Sequence, residues 1–203
     1  MSKKIETNMS YYLSLHGYED HRYRFIANFF GAIRGKLLDI GCHKGGLRNY
    51  LGENAEYFGI DGLDINFANY RKVDLNDKII PFPDKFFDVI NCSAVLEHLF
   101  YPCEILCEAR RVLKDNGVIL IALPNDKSLN MLFSFFFLPI QPYDELISQH
   151  HWQFSIKTAR EFVEKEFKII KEAPEFGPLY RRYLPFLKFR FLCTEWFMLG
   201  IKK

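Results

Sequence analysis

Three short runs of this chain are dominated by apolar residues that do not alternate with polar ones: Lys36-Leu37-Leu38-Asp39-Ile40, Phe87-Asp88-Val89-Ile90-Asn91-Cys92 and Val118-Ile119-Leu120-Ile121-Ala122-Leu123. A strand with one wet face alternates. A strand that does not is covered on both faces, the condition of a parallel sheet between helical layers. Weaker strand candidates are Tyr57-Phe58-Gly59-Ile60 and Arg71-Lys72-Val73. Between them Cys103 to Leu113 reads as a helix, with Ile105, Leu106, Ala109, Val112 and Leu113 at helical spacing, Pro102 in its first turn and Asn116-Gly117 as its stop. Strands alternating with helices require right-handed crossovers and hence a doubly wound, mostly parallel α/β sheet. A helical segment over residues 9–34 precedes the first strand, with Phe25, Ile26, Phe29, Phe30 and Ile33 as its apolar stripe. A Phe-rich insertion, residues 125–150, follows Pro124 and forms no obvious strand. A helix near Ile156 to Glu166, a strand Phe167 to Ile170 and a last strand Leu192 to Ile201, expected antiparallel at the edge, complete the pattern. No repeat or linker is visible, so residues 1–203 are expected to form one domain.

Charge and cysteine usage narrow the class. Lys and Arg number 27 against 25 Asp and Glu, far from the basic balance of a dedicated nucleic-acid binder. The longest apolar run, Met131 to Ile140, is broken by Ser134 and Pro139 and is too short to span a bilayer, and the first residues lack the apolar stretch of a signal peptide. Five scattered cysteines form no Cys-x-x-Cys pair, so no disulfide frame and no metal site is expected, and a reducing cytoplasm is the expected location.

The first strand runs into Gly41-Cys42-His43-Lys44-Gly45-Gly46. A glycine turn between a strand and a helix lets a ligand approach the backbone, at the place where doubly wound sheets hold nucleotides. A dinucleotide fingerprint needs glycine at positions 41, 43 and 46, but position 43 is His, and no Gly-Lys-Ser/Thr follows to make a phosphate loop. Gly59-Ile60-Asp61-Gly62 ends the next strand. Asp61 can accept two ribose hydroxyls there, or cap a helix. Asp74, at the end of a further strand, can take an adenine amino group with Leu75 packed on the ring, or serve only as a turn residue.

Together with Phe87-Asp88-Val89-Ile90-Asn91-Cys92-Ser93-Ala94-Val95-Leu96-Glu97-His98-Leu99 and the helix ending at Arg111-Val112-Leu113-Lys114, followed by Gly117, these motifs resemble class I S-adenosylmethionine-dependent methyltransferases of the small-molecule group. The resemblance covers roughly residues 20 to 170. It implies a seven-stranded Rossmann-like sheet and S-adenosylmethionine as cofactor. It also implies that Asp39, Gly41, Cys42, His43 and Gly45 cradle the methionine and ribose, that Asp61 and Gly62 face the ribose, that Asp74 and Leu75 face the adenine, and that Ser93 borders the methionine end. The family usually carries glycine where His43 stands, so its side chain must point away from the cofactor or narrow the pocket.

A sulfonium donor carries its own leaving group, so positioning does most of the catalysis and a base is needed only for a poorly ionised acceptor. His98, His150 and His151 are the candidate bases. Met131-Leu132-Phe133-Ser134-Phe135-Phe136-Phe137 reads as a lid over a small or lipid-like acceptor, as a membrane-surface or dimer patch, or as extra core. The basic, aromatic stretch Arg181 to Arg190 could suit RNA or anionic lipid, or be a solvated connection. An NAD(P) oxidoreductase would need the glycine that His43 replaces and a Tyr-x-x-x-Lys pair, which the chain lacks. A non-catalytic binding subunit of the same fold is the remaining alternative, and intact Asp61 and Asp74 weigh against it.

Overall fold

The computed structural model describes residues 18–128, 150–176 and 193–203; the Phe-rich stretch 129–149, the basic stretch 181–190 and the first part of the N-terminal segment lie outside them. In chain order the elements are α1 (Tyr18–Phe30), β1 (Gly35–Ile40), β2 (Ala55–Asp61), β3 (Tyr70–Lys72), β4 (Phe87–Ser93), α2 (Pro102–Val112), β5 (Leu113–Pro124), α3 (Ile156–Val163), β6 (Phe167–Glu175) and β7 (Glu195–Lys202). The strands form a seven-stranded sheet in the order β3-β2-β1-β4-β5-β7-β6. β1 pairs in parallel with both β2 and β4, so the order reverses direction between β1 and β4, and the carboxyl ends of these two strands flank the crevice where such sheets bind ligands.

Both faces of the sheet are covered, as the unbroken apolar runs require. One side packs Leu38, Ile40, Ile90 and Ile121 against Ile105, Leu106, Ala109 and Val112 of α2 and Phe162 and Val163 of α3. The other packs Leu37, Val89 and Leu120 under Ile26 and Phe29 of α1. Pro102 opens α2 as expected. Ser155 caps α3 in a reciprocal pair with Thr158. Arg111, the last arginine of α2, donates to Ile80 O and Phe82 O and to Glu108, which pins the chain before β4 to the helix.

The structure departs from the sequence expectation in four places. α2 ends at Val112, and Leu113 already pairs with Phe87 in a bulged β4–β5 ladder; burying Leu113 outweighs the helix stop offered by Asn116-Gly117. The glycine turn leads into a five-residue 3-10 turn, Gly46–Tyr50, not an α-helix. The segment between β2 and β3 is too short for a crossover helix, and it turns through Asn69 at a φ of 62°. The antiparallel strand is present as β7, one place in from the margin, between β5 and β6. The outermost place goes to β6, whose Pro174 suits an edge. Among the described residues no helix is long and apolar enough to cross a membrane.

Candidate functional site

The crevice starts from a left-handed turn. Gly41 and Gly45 sit at φ 67° and 70°, and the N–H groups of Gly41 and Cys42 both donate to Ile60 O, which ties the end of β1 to β2. A Cβ on Gly41 would run into Val95 Cγ2, and one on Gly45 would lie 2.8 Å from the Phe67 ring. Gly41→Ala therefore combines a strained φ with a clash, and we expect it to cost about 2–4 kcal/mol. In a thermal melt that is a fall in Tm of roughly 5–15 °C; an unchanged Tm would show that Val95 moves freely.

His43 takes a left-handed φ of 46° in this turn. Its N–H donates to Asp61 Oδ2 at 2.8 Å, and Leu63 N–H donates to Asp61 Oδ1 at 3.0 Å. Asp61 thus holds the turn and the end of β2 together, and the His43 side chain is exposed. Gly62 beside it is open, with only Val73 O near its absent side chain.

Beneath the turn lies a polar chain that runs across three strands. Asp39 on β1 is 3% exposed; it accepts Tyr57 Oη–H from β2 and Asn91 Nδ2–H from β4, each at 2.6 Å. Asn91 Oδ1 in turn accepts the Ser93 hydroxyl at 2.7 Å. Burial pushes the Asp39 carboxyl up to about 6, against the pull of Tyr57 and Asn91, and Asp61 adds repulsion. The Cys42 thiol is also raised, by burial and then by Asp39 and Asp61, which removes it as a nucleophile at neutral pH. Neither Tyr57 nor Asn91 stood out in the sequence as a site residue. Register reveals Asn91, which stands opposite Asp39, and the side-chain hydrogen bond reveals Tyr57, two residues before Gly59, the register partner of Asp39 on β2.

Asp74 is exposed, and its Oδ1 accepts Asn76 N–H at 2.9 Å, capping the short turn Leu75–Asp77. Leu75 is 7% exposed and belongs to the core. A cavity of about 320 Å³ lined by Ala27, Gly31, Tyr50 and Asn54 lies beyond the amino-terminal side of the sheet and includes none of the motif residues.

The three candidate histidines separate. His98, on the turn Leu96–His98 just past β4, and His150 meet ring to ring at 4.8 Å. Glu97, on the same turn as His98, is 2% exposed, its carboxyl pushed up to about 7 by burial. Burial lowers the proton affinity of His150, but Asp126, Glu97 and Glu195 outweigh it and the imidazole sits above its ordinary value. His151 is not part of this group: it is exposed and stacks on Phe100 at 4.2 Å.

A family model described as a methyltransferase domain matches residues 15–167. A Mycolicibacterium smegmatis protein named a probable S-adenosylmethionine-dependent methyltransferase is 31% identical over 97 residues, 44% of this chain and 38% of that one. A ubiquinone biosynthesis O-methyltransferase from Photobacterium profundum is 23% identical over 134 residues, 59% of this chain and 57% of its own length. These matches span about half the length of the curated relatives or less. The crystal structure of a SAM-dependent methyltransferase from Archaeoglobus fulgidus shares the fold, with a TM-score of 0.68 and 21% identity over 92% of this chain and 94% of that one.

Proposed function

This chain belongs to the methyltransferase domain family, and we propose that it transfers the methyl group of S-adenosylmethionine to a small or lipid-like acceptor bearing a hydroxyl. The observation that carries the reading is the pair of acids at the carboxyl ends of β1 and β2: Asp61 at the end of β2, and Asp39 on β1, buried under the turn and bonded to Asn91. A cofactor with a cationic sulfur, two ribose hydroxyls and no phosphate needs acceptor oxygens there, and these carboxylates supply them.

The Asp61 carboxylate has lone pairs left after accepting His43 and Leu63 N–H, so it would take the ribose hydroxyls. Gly62 leaves room beside it. The backbone from Gly41 through Cys42 and His43 to Gly45 would cradle the methionine part. Ser93 would border it, held by Asn91, which Asp39 keeps in one orientation. Asp74 would accept the adenine amino group, while Leu75, sunk in the core, would offer the ring no more than an edge. When bound, S-adenosylmethionine supplies a methyl group on an already activated leaving group. His98 and His150 follow Ser93 beyond the end of β4, on the side left for the acceptor. The O-methyltransferase activity in the name of one relative supports a hydroxyl acceptor.

Isothermal titration tests the reading: S-adenosylmethionine and S-adenosylhomocysteine bind with one site and NAD does not. Binding of NAD, or of none of the three, would overturn it. A further expectation concerns the departure at position 43. Because the imidazole is exposed and the backbone is left-handed, His43→Gly raises stability by about 1 kcal/mol and changes cofactor affinity by less than roughly twofold. A large gain in affinity would mean instead that the side chain obstructs the pocket.

A further inference from the structure

The turn after β4 and the segment that begins at residue 150 are tied by backbone. The N–H groups of His151 and Trp152 both donate to Glu97 O, at 2.8 and 3.2 Å, and the Trp152 indole donates to Leu99 O at 3.0 Å. This tie gathers three side chains of metal-ligand type. One carboxylate oxygen of Glu97 and one ring nitrogen each of His98 and His150 all lie within 4.8 Å of one another. Glu97 is 2% exposed, and its Oε2 has no hydrogen-bond partner among the described residues. A carboxylate so placed is costly unless it is paired or coordinates a cation. Behind His150 stands a second acid: Asp126 Oδ1 lies 3.5 Å from His150 Nδ1, while Asp126 Oδ2 is fixed by the Phe154 N–H at 2.8 Å. A carboxylate at one ring nitrogen orients a histidine so that the other nitrogen can ligate a metal.

We propose that Glu97, His98 and His150 bind one divalent transition-metal ion, with Asp126 as the residue that positions His150. Two imidazoles and a carboxylate suit Zn²⁺ or Mn²⁺ better than Mg²⁺ or Ca²⁺, which prefer all-oxygen sites. Three protein ligands leave coordination positions open. Resting on the methyl-transfer reading, these positions would take the acceptor's hydroxyl oxygen; the ion would lower its pKa so that the proton leaves to solvent, and the oxygen would bond to the methyl carbon as the methyl–sulfur bond breaks. The sequence reading expected no metal because no ligand spacing announces the site: Glu97 and His98 are adjacent and His150 arrives from the far side of the Phe-rich segment.

The test uses chelator-treated protein titrated with Zn²⁺ by calorimetry and with Co²⁺ by absorption, beside a separate titration with S-adenosylhomocysteine. One equivalent of Zn²⁺ binds and raises Tm. Glu97→Gln and His150→Gln each weaken it by about 50-fold or more, and Asp126→Asn by roughly tenfold. Glu97→Gln keeps the shape of the buried side chain, and its S-adenosylhomocysteine titration certifies the fold. The proposal is overturned by no saturable Zn²⁺ binding, by binding that survives both ligand substitutions, or by a cobalt–thiolate band pointing to the exposed cysteines. Zn²⁺ binding without S-adenosylhomocysteine binding in the wild type would sink the methyl-transfer reading and leave the metal site standing; the reverse would remove the metal site alone.

Discussion

Asp61→Ala weakens S-adenosylmethionine binding by about 100-fold or more and abolishes turnover at ordinary cofactor concentrations. Each hydrogen bond from a neutral hydroxyl to a carboxylate is worth about 1.5–3 kcal/mol; two of them come to about 3 kcal/mol at the low end, which exceeds 100-fold. The substitution also releases the N–H groups of His43 and Leu63, so the turn loses its anchor to β2 and the backbone cradle loosens with it. Both effects act on the cofactor side of the crevice, while the core beneath, with Leu38, Ile40 and Ile60 fully buried, is untouched. The variant is therefore expected to melt cooperatively, within a few degrees of wild type. Calorimetry checks the affinity and circular dichroism the fold. An affinity within threefold of wild type would show that the ribose is held elsewhere and that Asp61 only staples the turn.

Asp39→Asn is expected to stabilise the protein at pH 8 and to damage its activity. The native carboxyl titrates at about 6, against 3.8 for an unperturbed aspartate. Between these values the folded chain holds a proton that the unfolded chain has lost, so stability falls as pH rises through that window, and the whole penalty is present above pH 6. A rise of that size corresponds to about 3 kcal/mol. The facing groups are Tyr57 on β2, Asn91 on β4, Asp61, Cys42 and, from α1, Arg22; none of their attractions cancels the burial. An amide at position 39 still accepts from Asn91 but must donate to Tyr57, and that reversal takes back about 1 kcal/mol. The net gain of about 2 kcal/mol raises Tm by roughly 4–8 °C at pH 8 and vanishes near pH 4. Cofactor affinity drops about tenfold because Asn91 and Ser93 lose the charge that orients them. Parallel melting curves for the two proteins from pH 4 to pH 8 would show that Asp39 is not the group that carries the penalty.

The strands were legible because burial on both faces leaves a local mark. Lys36 to Ile40 and Val118 to Leu123 do not alternate, and runs this short, bounded by Gly41 and Pro124, suit a covered strand better than a buried helix. The glycine turn, Asp61 and Pro102 were legible for the same reason: each answers a demand of the backbone next to it. Asn116-Gly117 misled because a local helix stop competed with the non-local burial of Leu113 against Phe87, and the non-local term won. Of the two sequence readings of Asp74 the structure shows the turn residue, a carboxylate that caps its own turn through Asn76 N–H; the adenine contact is a proposal.

Local patterns of residues were enough to show the layered α/β architecture and the glycine turn that follows β1, since hydrophobic patterning and turn chemistry act over a few residues. Packing across the sheet set what stands opposite what: Asn91 meets Asp39 through strand register, β7 lies between β5 and β6, and His150 joins Glu97 and His98 while its neighbour His151 is exposed. Those pairings depend on how distant segments share a buried volume, and no short window of residues contains that information.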